Sequence, residues 1–287
     1  MIKKLIKTPN AATAFILAII SATIIFLPFI IMDKGYFFYM GDFNVQQVPF
    51  YMLAHDAVRS GDIFWNWFTD LGVNFQGSYS FYLLFSPFFW ITLLFPNSFV
   101  PFLMAPLLIL KTGCAALFSY LYIKRFVKDQ YYALVGSLLY AFSGYLLYNV
   151  FFNHFHEVAV FFPLLLIGLE ELIENDRRGL FALAVALNAM VNYWFFIGEV
   201  VFVVIYVFVR MTSRKDGKAV LKKFFWIGFE SVIGICLVAF VLMPSILTII
   251  GNPRTTSDNL LTGWNFWVYW QEQRPLEIIR SLFFPPD

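Results

Sequence analysis

The basic residues of this chain come in clusters, and long apolar runs fill the spaces between them. Lys3, Lys4 and Lys7 open the sequence. Lys124, Arg125 and Lys128 follow, then Arg177 and Arg178, then Arg210, Arg214, Lys215 and Lys218, then Lys222 and Lys223. A helix crosses the hydrocarbon core with about 20 apolar residues, and cytoplasmic loops hold the excess of Lys and Arg. The pattern therefore predicts a multi-pass membrane protein, N-terminus in the cytoplasm. Composition agrees: 13% of residues are charged and 60% are apolar, against about 25% charged in an average soluble domain. With a formal charge of +2 and its cations at the ends of apolar runs, the chain has no nucleic-acid footprint. Cys114 and Cys236 both lie in apolar segments and predict no disulfide.

The expected fold is all-α, one transmembrane domain over residues 1–287 with about seven crossings. Ala11 to Met32 is the first span, too long for a signal-peptide core. Residues 33–80 then form an extracytoplasmic loop, in which Asn44 to Ser60 reads as an amphipathic helix lying along the membrane. Trp65, Trp67, Tyr79 and Tyr82 suit the headgroup zone. Residues 99–123 cross once, and the preceding 81–95, which contains Pro87, stays on the outer side. Residues 131–150 and 157–173 cross out and back. Residues 180–209 form a short hairpin with Asn192 to Glu199 at its tip. Phe224 to Ile249 makes the last span, and 251–287 ends outside.

Topology brings three polar turns to the outer side. The first, Gly41-Asp42-Phe43-Asn44-Val45-Gln46-Gln47, has a glycine for the turn and an aspartate that can either cap the next helix or act as a general base. The second is Asn153-His154-Phe155-His156-Glu157, whose two histidines and one acid form a sparse metal signature for Mg²⁺ or Mn²⁺. The third carries Asn192 and Glu199, a carboxylate that needs a partner or water. No phosphate loop, dinucleotide fingerprint, HExxH or paired CxxC is present.

The runs GDFNVQQVPF at 41–50, SYSFYLLFSPFFW at 78–90, LLYAFSGY at 138–145 and NHFHE at 153–157 resemble the YfhO family of bacterial membrane proteins. The likeness extends over nearly the whole chain, although family chains are usually longer. The resemblance implies a GT-C-like glycosyltransferase that takes a sugar from a polyprenyl-phosphate donor on the outer face of the membrane. Its acceptor would be a cell-envelope polymer, lipoteichoic or wall teichoic acid. On this reading Asp42 is the catalytic acid position, and Gln46, Gln47, Asn153, His154, His156, Glu157 and Glu199 bind substrate. The other expectations are a lipid or polymer transporter, and a non-catalytic scaffold of an envelope-assembly complex.

Overall fold

A computed structural model describes residues 9–252 apart from 70, 213 and 215. The first basic cluster, Lys3 to Lys7, and the expected outer end beyond residue 252 lie outside the described residues. The long helices are α1 (Ala11–Met32), α5 (Val100–Ile123), α6 (Gln130–Ala141), α8 (Phe155–Asn175), α9 (Leu180–Val191), α10 (Tyr193–Met211), α11 (Gly217–Leu237) and α12 (Ala239–Ile250). Between α1 and α5 lie α2 (Val48–Ser60), α3 (Phe75–Tyr79), α4 (Pro87–Thr92) and a two-residue antiparallel pair, β1 (Trp65–Asn66) with β2 (Val73–Asn74). The short α7 (Gly144–Tyr148) and a 3₁₀ turn, Asn149–Phe151, lead into α8. Apart from that small β pair the described chain is helical, as expected of a polytopic membrane protein.

Each boundary has a local cause. Asn10 caps α1, its side chain accepting from Thr13 N while Thr13 returns a bond to the Asn10 amide. Asp129 caps α6 and Asp216 caps α11 in the same sense. The helices pack in the order α1, α5, α8, α9, α11, with α6 beside α5 and α1. Small residues let backbones approach: a Cβ on Gly234 of α11 would meet Ala182 O of α9 at 2.6 Å. The carboxylate of Glu230, also on α11, accepts from Gly179 N and Ala182 N, so α11 completes the start of α9 from outside.

The two ends of the bundle differ chemically. At one end the basic clusters meet acids: Arg125 and Arg177 pair with Glu171, Arg210 with Glu170 and Glu174, Arg214 with Glu174, and Lys223 with Asp176. Clusters separated in sequence thus share one end, as the positive-inside pattern demands. The other end holds the three polar turns.

Seven crossings is too many for these helices. Among the described residues four are long and apolar enough to span, at Ala11–Met32, Asn97–Ile123, Gln130–Phe151 and Tyr193–Met211, and a fifth exists if α11 and α12 count as one span. The remaining two fall short for different reasons. With 12 residues, α9 reaches only about 18 Å, and α8 carries Glu157, Glu170, Glu171 and Glu174. All four are ion-paired, Glu174 at the surface and the other three buried, so α8 fails on apolarity although its 21 residues reach about 32 Å. The expected last span is bent by 76° between α11 and α12. Residues 81–95 contain one helix, the six-residue α4, which cannot cross.

Candidate functional site

Gly41 adopts φ +67°, the left-handed value its position in the turn predicts, and Phe43–Gln47 follows as a single wide turn of π-helix. Asp42 precedes that turn, yet its side chain makes no capping hydrogen bond. The capping expectation therefore fails, and the half-buried carboxylate is left beside Tyr82. Burial first, then the nearby Asp42 charge, raise the Tyr82 phenol above its ordinary pKa, while Gln46 hydrogen-bonds it. Tyr82 is thus a junction in the polar end rather than a headgroup anchor, and buried Tyr79 packs against Phe75 and Phe50. Trp65 and Trp67 are exposed, as expected of anchors.

The wide turn aims Gln47 inward. Its Oε1 accepts from His154 Nδ1 at 3.1 Å, and its Nε2 donates to Gln46 Oε1 at 3.3 Å. Because an amide oxygen only accepts, the bond assigns the proton to Nδ1 and leaves Nε2 as an acceptor. His154 Nε2 is buried without a partner. Burial, reinforced by the Lys111 ammonium, pushes this histidine's pKa down to about 3, so its ring is neutral. Tyr82 and Phe81 stand edge-on to it, at 5.1 and 4.9 Å between ring centroids.

Beneath His154 lies a residue that sequence reasoning missed. Lys111, midway along α5, is wholly buried, with its Nζ 2.7 Å from Glu157 Oε1. It also donates to Asn153 O and Asn153 Oδ1, both at 3.0 Å. One ammonium therefore holds one turn through an ion pair and two hydrogen bonds. A lone lysine in an otherwise apolar run was the available signal, since an intramembrane charge is costly unless paired and functional. The partner, Glu157, is 46 residues later in sequence, and only the packing of α5 on α8 joins them.

His154 and His156 are both 3% exposed, and neither ring nitrogen of His156 meets a hydrogen-bond partner. No group of three His, Cys, Asp or Glu side chains among the described residues is placed to hold a metal, and Glu157 is paired with Lys111.

The remaining polar pair separates from this cluster. Asn192 is the break between α9 and α10, and its side chain caps α10 by accepting from Phe195 N at 3.2 Å. Glu199 is not in that turn but inside α10, where it lines a different cavity with Tyr140 and Tyr145. Between cluster and cavity Phe155, packed on His154, meets the cavity-lining Phe195 edge-on at 4.6 Å between ring centroids. The site therefore joins Asp42, Gln46, Gln47, Asn153, His154 and Glu157 through Tyr82 and Lys111, and leaves Glu199 out.

The family model described as "Bacterial membrane protein YfhO" matches residues 13–275. The chain belongs to the YfhO family. Among curated proteins it is similar to "Uncharacterized protein YfhO" of Bacillus subtilis (strain 168), 25% identical over 250 residues, which are 79% of this chain and 28% of the relative. The chain thus spans less than a third of that YfhO relative's length. No solved structure matches it. Both the motif resemblance and the membrane location inferred from sequence stand on this membership.

Proposed function

We propose that this YfhO-family chain carries the outer-face site of a membrane glycosyltransferase that uses a polyprenyl-phosphate sugar. Asp42 takes the proton from an acceptor hydroxyl of the envelope polymer, lipoteichoic or wall teichoic acid. The hydroxyl oxygen attacks the anomeric carbon in line, the bond to the lipid phosphate breaks, and configuration inverts. Gln46 and Tyr82 orient the sugar beside Asp42, while buried His154, hydrogen-bonded to Gln47, holds the Phe43–Gln47 turn in place. Lys111 and Glu157 hold the Asn153–His154 turn against Gln47.

The observation that carries this reading is the freedom of Asp42. An aspartate at the head of a helical turn ordinarily caps it, and this one leaves the amides alone and lies close enough for its charge to act on the Tyr82 phenol. A transport reading draws on a different observation, the sharp break between α11 and α12, since interrupted helices recur at transport sites.

Donor-dependent sugar transfer by the purified protein in detergent tests the proposal. Asp42→Asn keeps shape and removes basicity, so transfer is expected to fall by about a hundredfold to ten-thousandfold with the protein still folded. Transfer within a fewfold of wild type would remove Asp42 from the mechanism. No transfer by the wild type, in this chain and in a longer YfhO chain alike, would favour the transport or scaffold reading.

A further inference from the structure

Glu199 poses a problem that the glycosyltransferase reading does not solve. Its residue is 7% exposed, its Oε2 is buried without a hydrogen-bond partner, and it sits in an apolar helix, where an unpartnered carboxylate is costly. It lines an open cavity of about 340 Å³, within the size range of small-ligand pockets. Tyr140, Tyr145, Phe162, Phe195 and Phe202 supply aromatic walls, and Gly198 leaves part of the floor bare.

Tyr140 donates its hydroxyl proton to Ala159 O at 2.7 Å, and Tyr145 donates to Phe155 O at 3.4 Å. Both phenol oxygens therefore have only lone pairs to offer, as does Glu199 when a cation beside it holds it ionised, and Ser143 adds a hydroxyl that can accept or donate. No Lys, Arg or His lines the cavity, so it offers no counter-ion to the lipid phosphate of a sugar donor. It fits a cation that donates several hydrogen bonds and accepts aromatic faces. The entry route has a chemistry too. Phe202 of the lining is exposed, as is its chain neighbour Val201, and Glu199 lies six residues into α10, a helix long and apolar enough to cross a membrane, about 9 Å from its start. A ligand at that depth arrives from the bilayer.

We propose that this cavity binds the ammonium head of an aminolipid, with Glu199 as counter-ion and the tyrosine and phenylalanine rings around it. The site is separate from the Asp42 cluster, and its test does not read sugar transfer.

The experiment reconstitutes the protein into bilayers of equal phosphatidylethanolamine and phosphatidylglycerol, then counts the lipids that stay bound after purification by mass spectrometry. Wild type is expected to retain the amine lipid over the glycerol lipid by about tenfold, the selectivity that about 1.4 kcal/mol supplies. Glu199→Gln should bring the ratio to that of the bulk bilayer. Gly198→Leu should do the same by filling the cavity with the carboxylate intact; nothing lies within 4 Å of a Cβ built there, so the helix accepts the side chain. A bulk ratio for wild type, or an unchanged ratio in Glu199→Gln, overturns the proposal. Selectivity that survives Gly198→Leu in folded protein overturns the placement of the lipid in this cavity.

Discussion

Lys111 and His154 show how much a single buried group can dictate. Removing the ammonium by Lys111→Met strands the Glu157 carboxylate in an apolar interior, where breaking a buried pair costs about 3–5 kcal/mol. The variant is expected to lose that stability by thermal unfolding in detergent, and Lys111→Met with Glu157→Leu should recover most of it. A neutral single variant would show that the pair does not hold the turn. His154 makes a pH statement. Its pKa is about 3 in the fold against 6.5 unfolded, so between those values the unfolded chain binds the extra proton. Stability on this account is full above 6.5 and declines as pH falls towards 3. His154→Gln should flatten that part of the stability curve measured against pH, and an unchanged slope would contradict the assignment. Asp42, Gln47 and the NHFHE turn were legible as a polar constellation because polar residues in so apolar a chain announce themselves. Lys111 was not, because its meaning depends on a neighbour that only tertiary packing supplies. Glu199 was legible as a costly charge and misplaced, because the sequence shows the break at Asn192 but not that α10 starts immediately after it.

Helices illustrate a different limit. The span of α1 and the single crossing by α5 follow from apolar length alone, and the structure agrees. Hydropathy cannot tell a crossing from a helix buried within protein, which is why α8 and α9 were counted like the others. The ion pairs of α8 make it internal scaffolding between α5 and α9, where charge is tolerable because each acid has a partner. The closeness of α9 and α11 can be tested directly. Gly234→Leu drives a side chain into the backbone of Ala182 and should sharply reduce folded protein in a detergent size-exclusion assay. Gly228→Leu, on the same helix with open space around it, should behave as wild type. Equal tolerance of both would mean that α9 and α11 do not approach as described.

At the scale of the whole molecule, the bundle has one ion-paired end and one end of polar turns, and the charge rule assigns the first to the cytoplasm. A cysteine replacing Asp62 should react with an impermeant reagent on intact cells, and one replacing Lys218 only after lysis; the reverse pattern would invert the molecule and remove the outer-face site. The carboxylate of Glu230 that closes the start of α9 also sets a schedule for biogenesis. The ribosome completes α9 about forty residues before it delivers that acid, so the first amides of α9 wait without their acceptor while α10 and the following basic loop are made. Docking of α9 in its final place is then expected to come late, together with α11, rather than as a step of its own. Chains arrested before residue 230 should leave an α9 cysteine open to alkylation that chains arrested beyond α11 protect.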